Sequence, residues 1–238
     1  MQRICAVLLL MVATTVTADE TSNKKGSITL LQHKSPGISQ AENEAISEIS
    51  LLAQQRNIDG AFLKLKPILL QCESRSANSD KQMVYFEEIA EFVEYASTNG
   101  KNKDLVWVQD SCPKAYKMAA FLYIEKEDNQ AALSYLDKAM KLAPYWAEPY
   151  TELAFIHKQT KDYKSAKAAF EKAIELADKY PSSAHVKPLA LRGLGIVLVD
   201  LEDLDAAKAA LNASLVLEPN NKLALSELEY IRQVEAEK

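Results

Sequence analysis

The chain has 238 residues, of which 48% are apolar and 26% charged, so it can bury one sizeable core but is too short for more than about two domains. Only 6 residues are Gly and 8 are Pro, which disfavours collagen-like and low-complexity classes and favours an all-helical protein. The net charge of −5 disfavours a nucleic-acid-binding protein, because such proteins need a basic surface to neutralise phosphates.

The first 18 residues have the three-part pattern of a secretory signal peptide. Arg3 supplies a positive start, residues 4–12 form an apolar run, and small or hydroxyl residues end at Ala18. The run is too short to span a membrane, which takes about 20 residues. We expect cleavage after Ala18 and export, first of all to a bacterial periplasm, with secretion or the lumen of the endoplasmic reticulum as alternatives. A buried N-terminal helix is the competing interpretation.

Residues 19–40 are rich in Ser, Thr, Asn and Lys and are interrupted by Pro36-Gly37. This composition predicts a flexible tether.

Two cysteines, Cys72 and Cys112, remain after cleavage removes Cys5. An even number of cysteines in an oxidising compartment permits a disulfide between them. Two ordinary buried thiols on neighbouring helices are the alternative. The sequence leaves both possibilities open.

Three blocks of 34 residues share one pattern of small and large side chains: residues 113–146, 147–180 and 188–221. Position 8 is Ala or Gly in every block, position 16 is Asp, position 20 is Ala and position 24 is Leu or Phe. In that order these residues are Ala120, Ala154 and Gly195; Asp128, Asp162 and Asp203; Ala132, Ala166 and Ala207; and Leu136, Phe170 and Leu211. Each block divides into two amphipathic stretches of about 14 residues with helical periodicity.

This pattern resembles the tetratricopeptide repeat family over residues 113–221. The resemblance implies an all-α, right-handed solenoid of helical hairpins. In each hairpin the Asp at position 16 can accept hydrogen bonds from the first N–H groups of the second helix. Residues 181–187 interrupt the array, and we expect them to extend the preceding helix or to form an exposed loop. Residues 222–238 predict a C-terminal capping helix with an apolar face formed by Leu223, Leu225, Leu228 and Ile231.

Upstream, residues 41–112 predict a degenerate helical region of the same kind. A fourth, eroded repeat is expected over about residues 42–75, where Asn57-Ile58-Asp59-Gly60 resembles the turn inside each block. Two further helices are predicted over Met83–Ala96 and Asp104–Cys112, because apolar side chains fall on one face of each.

Motifs for catalysis, cofactor binding or metal binding are missing from the sequence. His33, His157 and His185 have no partner at metal-ligand spacing, so no metal site is predicted. Gly193 and Gly195 fit close helix packing better than phosphate binding. We therefore predict no catalytic residue, no cofactor and no metal.

In the family that the chain resembles, the first helix of each repeat forms a concave wall that holds a segment of another protein. The candidate binding residues on this wall are Lys117, Phe121, Phe155, Lys158, Arg192 and Ile196. The two Phe and Arg192 are the expected anchors, and Lys117 and Lys158 are expected to attract acidic residues of the ligand. The alternative is that the upstream helices or the tether cover part of these side chains.

Some members of the family hold a C-terminal carboxylate with Lys, Arg and Asn at set positions. Lys117 fits that pattern, but Phe121, Glu152, Leu189 and Gly193 depart from it. A carboxylate clamp is therefore not expected.

The predicted function is a non-catalytic scaffold for protein–protein interaction, without a membrane span. One alternative is an inhibitor that neutralises a toxin or enzyme in the same compartment, for which an acidic protein would suit a basic target. A second is an enzyme domain within residues 41–112.

Overall fold

The computed structural model describes residues 40–77, 81–99, 104–108 and 111–237. The predictions for residues 1–39, the signal peptide and most of the tether, fall outside this range. The helices are α1 (Gln40–Gln54), α2 (Ile58–Ala77), α3 (Ile89–Asn99), α4 (Cys112–Glu125), α5 (Asn129–Leu142), α6 (Glu148–Gln159), α7 (Tyr163–Lys179), α8 (Lys187–Asp200), α9 (Leu204–Leu217) and α10 (Lys222–Ala236). Two short strands, β1 (Gln82–Tyr85) and β2 (Leu105–Val108), flank α3.

Eight helices form four hairpins: α1–α2, α4–α5, α6–α7 and α8–α9. Successive hairpins pack through contacts of α2 with α4, α5 with α6, and α7 with α8, so the core is a row of clusters between neighbouring hairpins. The expected all-α repeat fold is confirmed. Among the described residues, no helix combines the length and apolar character that crossing a membrane requires.

The turn inside each hairpin has the same backbone geometry. One residue adopts a left-handed conformation, with φ near 60° at Arg56, Glu127, Lys161 and Glu202. The amides of this residue and the next donate back to carbonyls of the helix's last turn, which closes a Schellman motif. The next residue caps the second helix by accepting from the amide three residues on; the four caps are Asn57 (3.0 Å), Asp128 (3.0 Å), Asp162 (3.2 Å) and Asp203 (3.3 Å). The hairpin α1–α2 therefore uses the turn of the three 34-residue blocks.

Two glycines of α8 allow close approach on different sides of the helix. A Cβ atom on Gly195 would lie 2.6 Å from Cγ of Leu211 on α9, the partner helix of the same hairpin. A Cβ atom on Gly193 would lie 2.3 Å from Cζ of Phe170 on α7, which belongs to the preceding hairpin. Gly195 thus permits the contact within a hairpin and Gly193 the contact between hairpins, as expected for helix packing.

Between α2 and α4 the structure corrects the predicted helices. Met83 and Val84 lie in β1, and Trp107 lies in β2. The strands pair in parallel, from Gln82 with Leu105 to Tyr85 with Val108, and among the described residues between α2 and α4 only α3 is helical. Periodicity cannot separate a four-residue apolar strand from a piece of buried helix, and the partner strand is distant in sequence. The helix predicted over Met83–Ala96 is therefore correct from Ile89 onward and wrong before it, and β2 replaces the helix predicted over Asp104–Cys112.

A disulfide joins Cys72 on α2 to Cys112 at the start of α4. It therefore closes the chain around the β1–α3–β2 insertion, and α2 still packs against α4 as one repeat packs against the next. Both cysteines are buried. On the chain-entropy model a loop of this length contributes about 3–4 kcal/mol to stability.

Residues 181–187 also differ from both structures expected for them. Helix α7 ends at Lys179, and Pro181–Val186 forms a 3₁₀ helix. Pro181 cannot continue an α-helix, because its ring clashes with the preceding turn. Ser183 is buried, and its hydroxyl accepts from the amide of Ala147 (3.0 Å) and donates to the carbonyl of Tyr145 (2.9 Å).

The two insertions contact each other. Tyr145 packs with the insertion cluster around Phe86 and stacks on Tyr180, with ring centroids 3.9 Å apart. Around these rings, Ser182 donates to the carboxylate of Glu91 (2.6 Å), and Lys179 pairs with Glu94 (2.5 Å). The insertion that contains β1, α3 and β2 is thereby held against the segments at the ends of the first and second 34-residue blocks.

The C-terminal helix α10 packs on α9 and α8. It buries Ala224 and Ile231, with Leu228 against the same cluster. Leu223 and Leu225, which were predicted to share this apolar face, are instead about half exposed (49% and 48%). Positions 224, 228 and 231 follow the helical repeat, and the two leucines lie on either side of it.

We predict that Gly193→Ala lowers the free energy of unfolding by about 1–3 kcal/mol, because the added methyl group meets the ring of buried Phe170. Urea denaturation followed by circular dichroism measures the change. In a Phe170→Leu background, which makes space, the same substitution should cost less. An equal cost in both backgrounds would contradict the proposed contact.

Candidate functional site

The first helices of the four hairpins, α1, α4, α6 and α8, lie side by side and form one wall of the array. At one end of this wall, between α1, α4 and the start of α6, is an open cavity of about 540 Å³. Its apolar walls are Ile46 and Leu51 of α1, Met118 of α4, and Trp146. The polar lining consists of Ser47, Ser50, Gln54, Lys114, Lys117 and Glu148.

Half of the residues that line the cavity belong to α1, and none of them was among the site residues predicted from the sequence. Asn57 provides the signal that could have found them. Its capping role is that of position 16 in the other hairpins, so counting back from it places Ile46, Ser47 and Ser50 at positions 5, 6 and 9. These are wall positions in the later blocks. The eroded repeat predicted over about residues 42–75 has this register, but the candidate binding residues were taken from the three 34-residue blocks alone.

Lys117, one of the predicted binding residues, lines the cavity, but its charge is already paired. Its ammonium group donates to the carboxylate of Glu148 and lies 5.8 Å from the centre of the Trp146 ring. An attraction of acidic ligand residues by Lys117 would have to compete with this ion pair. The lysine therefore acts as part of the cavity wall.

Glu148 connects α6 to two other elements. Its second carboxylate oxygen lies 2.8 Å from Nε2 of His185 in the 3₁₀ helix. Burial raises the pKa of Glu148, but the ammonium group of Lys117 and the contact with His185 outweigh it, and the pKa lies below its usual value.

Glu152 lies one turn further along α6, on the same face as Glu148. It is half-buried, and burial raises the pKa of its carboxyl group. Lys117 opposes that shift and Glu148 adds to it. Among the described residues, neither a hydrogen bond nor an ion pair to the Glu152 carboxylate is found. Its ionised form is therefore poorly compensated.

The three predicted apolar contact residues, Phe121, Phe155 and Ile196, are all half-buried. Phe121 packs against the cluster formed by α1, α2 and α4. The Phe155 ring meets that of Phe170 edge-on, with centroids 5.5 Å apart. Part of each phenylalanine ring therefore belongs to the core.

The two remaining predicted residues differ in their surroundings. The side chain of Arg192 is only 12% exposed and donates to Glu218, the C-cap residue of α9 (2.7 Å). It thus supports the last hairpin, and serving a ligand would require breaking this ion pair. Lys158 is half-buried near the end of α6. The wall therefore brings Lys117 to the cavity and holds Arg192 against its own repeat.

The described residues contain no group of three or more His, Cys, Asp or Glu side chains that could hold a metal ion.

Family models of the tetratricopeptide repeat match residues 113–145 and 147–215. Among solved structures, PilF of Pseudomonas aeruginosa is 15% identical, with a TM-score of 0.57, covering 82% of this chain and 69% of that one. PilW, described as a widely conserved type IV pilus biogenesis factor, is 16% identical, with a TM-score of 0.56 and coverages of 82% and 70%. These two similarities show the fold alone.

The first TPR domain of Spaghetti (RPAP3), solved with a bound HSP90 peptide, is 25% identical. Its TM-score is 0.48, and the match covers 53% of this chain and 94% of that one. Among curated proteins, no sequence matches this chain.

We predict that Glu148→Gln and Glu152→Gln change stability in opposite directions. The pKa of Glu148 is lower in the folded than in the unfolded chain, so its carboxylate stabilises the fold above about pH 4.5. This stabilisation is lost as the pH falls through the pKa of the folded state. The pKa of Glu152 is raised on folding, so its ionised form destabilises the fold at neutral pH. Below about pH 4.5 the carboxyl group is protonated in both states, and this destabilisation disappears.

At about pH 7, Glu148→Gln should lower the free energy of unfolding by about 1 kcal/mol, and Glu152→Gln should raise it by about 0.5–1 kcal/mol. Urea denaturation at several pH values measures both. The effect of Glu152→Gln should disappear near pH 4, and that of Glu148→Gln at a lower pH. Glu125→Gln, at an exposed position of α4, is the control and should change stability by less than about 0.5 kcal/mol. Changes of the same sign for Glu148 and Glu152 would contradict this assignment.

Proposed function

Because the chain is a tetratricopeptide repeat protein, we propose that it is a non-catalytic scaffold that holds a segment of another protein against the wall formed by α1, α4, α6 and α8. Repeats of this family generally mediate protein–protein interaction and are typically without catalytic activity. Stacked helical repeats form extended surfaces suited to that role.

The observation that carries the proposal is the cavity at the α1 end of this wall. Its volume of about 540 Å³ lies within the usual range for ligand pockets, roughly 300–1,000 Å³. Met118 and Trp146 supply a flexible and an aromatic contact, and aromatic side chains are frequent anchors at interfaces. The cavity is therefore suited to one or two large apolar side chains of the partner.

The exposed parts of Phe121, Phe155 and Ile196 extend this surface along the wall. In this proposal they form a secondary contact region, because part of each phenylalanine ring is already used in the core. Lys158 lies at its edge and is available to contact polar groups of the ligand.

A photo-cross-linking amino acid at position 51 tests the proposal in cells that produce the protein. Leu51 lines the cavity and is 53% exposed, and Val216, 79% exposed on α9, is the matched control. We expect a discrete protein adduct from position 51 and none from position 216. Met118→Trp, which fills the cavity, should remove that adduct without changing the melting temperature by more than a few degrees.

Equal adducts from positions 51 and 216, or an adduct that persists when the cavity is filled, would show that the partner binds elsewhere.

We also propose that the chain is exported and works in an oxidising compartment. The disulfide between Cys72 and Cys112 supports this, because such bonds persist mainly outside the reducing cytosol. The signal-peptide pattern of residues 1–18 is the second support.

Mass spectrometry of the protein from its natural source, denatured without reductant, tests both points. We expect a mature N-terminus at Asp19 and no free thiols on Cys72 and Cys112. An N-terminus at Met1 would contradict export, and two alkylatable thiols would contradict the oxidising compartment.

A further inference from the structure

The charges on the wall near the cavity do not balance. Lys117 is the basic residue closest to the acidic side chains of α6, and its ammonium group is bound to Glu148. Glu148 is also in contact with His185, so its carboxylate has two partners. Arg192 on the neighbouring helix α8 is turned toward Glu218. Lys114 also lines the cavity, but it is exposed to water, and among the basic side chains only Lys117 acts on the carboxyl group of Glu152.

Glu152 is the carboxylate that this arrangement leaves without a partner among the described residues. It is half-buried, so water compensates its charge only in part. Partial burial of a carboxylate without a hydrogen-bonded or ionic partner costs free energy in the free protein. A group that is costly in the free protein and lies on a binding wall is well placed to be satisfied by a ligand.

The position of Glu152 relative to the cavity is defined by α6. Glu148 lines the cavity, and Glu152 follows it by four residues, which places their side chains about 6 Å apart on one helix face. An extended peptide advances about 3.3 Å per residue. A ligand residue within about four positions of the one in the cavity can therefore reach Glu152.

We propose that the ligand segment carries a large apolar side chain that enters the cavity and, within about four residues of it, a Lys or Arg that pairs with Glu152. This inference rests on the proposed function and adds the chemistry of the ligand. It reverses the charge that the sequence predicted for the ligand at this site.

Neutral, acidic and basic ligand segments differ in the free energy of binding next to Glu152. A neutral segment that covered Glu152 would leave a buried carboxylate without a partner, which is costly. An acidic segment would add repulsion from Glu152. A basic side chain replaces the lost water with an ion pair, and an Arg can do so with two parallel hydrogen bonds.

A displayed library of random dodecapeptides, selected on the purified chain, tests the proposal. We expect selected peptides to combine a Trp, Phe, Leu or Met with a Lys or Arg within about four residues. For one selected peptide, fluorescence anisotropy should show that Glu152→Gln weakens binding by about tenfold or more. Glu125→Gln, which removes an exposed carboxylate at the end of α4, should change it by less than about twofold.

The pairing itself is tested by changing the peptide. Replacing its basic residue with Gln should weaken binding to the wild-type protein by about tenfold and binding to Glu152→Gln much less. Equal losses for both proteins, or selected peptides without a basic residue, would overturn the inference.

A failure of the proposed function gives a different experimental result from a failure of the inference about Glu152. Met118→Trp, which fills the cavity, should abolish peptide binding if the cavity is the site. Peptides that bind this variant as well as they bind the wild type would overturn the proposed function together with the inference. Peptides that lose binding to Met118→Trp but are indifferent to Glu152→Gln would overturn the inference alone.

Discussion

Each hairpin depends on one short turn, in which a left-handed residue is followed by an Asp or Asn that caps the second helix. Arg, Glu and Lys occupy the left-handed position at a cost of about 1–2 kcal/mol each. The Schellman hydrogen bonds and a cap of about 1 kcal/mol offset it. Because all four turns have this geometry, the first helices come to lie side by side. The wall and its cavity follow from that repetition.

The two insertions show how such an array can be interrupted without losing its stacking. Between α2 and α4 the chain leaves the array to form β1, α3 and β2, and the disulfide keeps both ends of this insertion together. The 3₁₀ helix after α7 then contacts the inserted unit through Ser182. The same 3₁₀ helix supplies His185 to Glu148 at the cavity. The interruptions are therefore connected to the wall formed by α1, α4, α6 and α8.

The charge that the wall presents to a ligand depends on which of its charged side chains are already paired within the protein. Lys117 and Arg192 both look available in the sequence, but they bind carboxylates 31 and 26 residues away. With these two cations engaged, Glu152 is a half-buried carboxylate of the wall without an ion pair among the described residues, whereas Lys114 at the cavity is exposed to water. A count of basic and acidic residues along the wall therefore does not by itself predict the charge of the ligand.

The sequence by itself determined the repeat architecture. The small residues and the capping Asp residues make contacts within one hairpin or between successive hairpins, and they recur every 34 residues. The sequence pattern therefore predicts these contacts. Only the tertiary structure decided the strands β1 and β2, the pairing of Cys72 with Cys112, the contribution of α1 to the cavity and the ionic partners of Lys117 and Arg192. Each of these depends on residues far apart in the chain, and neither periodicity nor composition carries information about which distant groups meet.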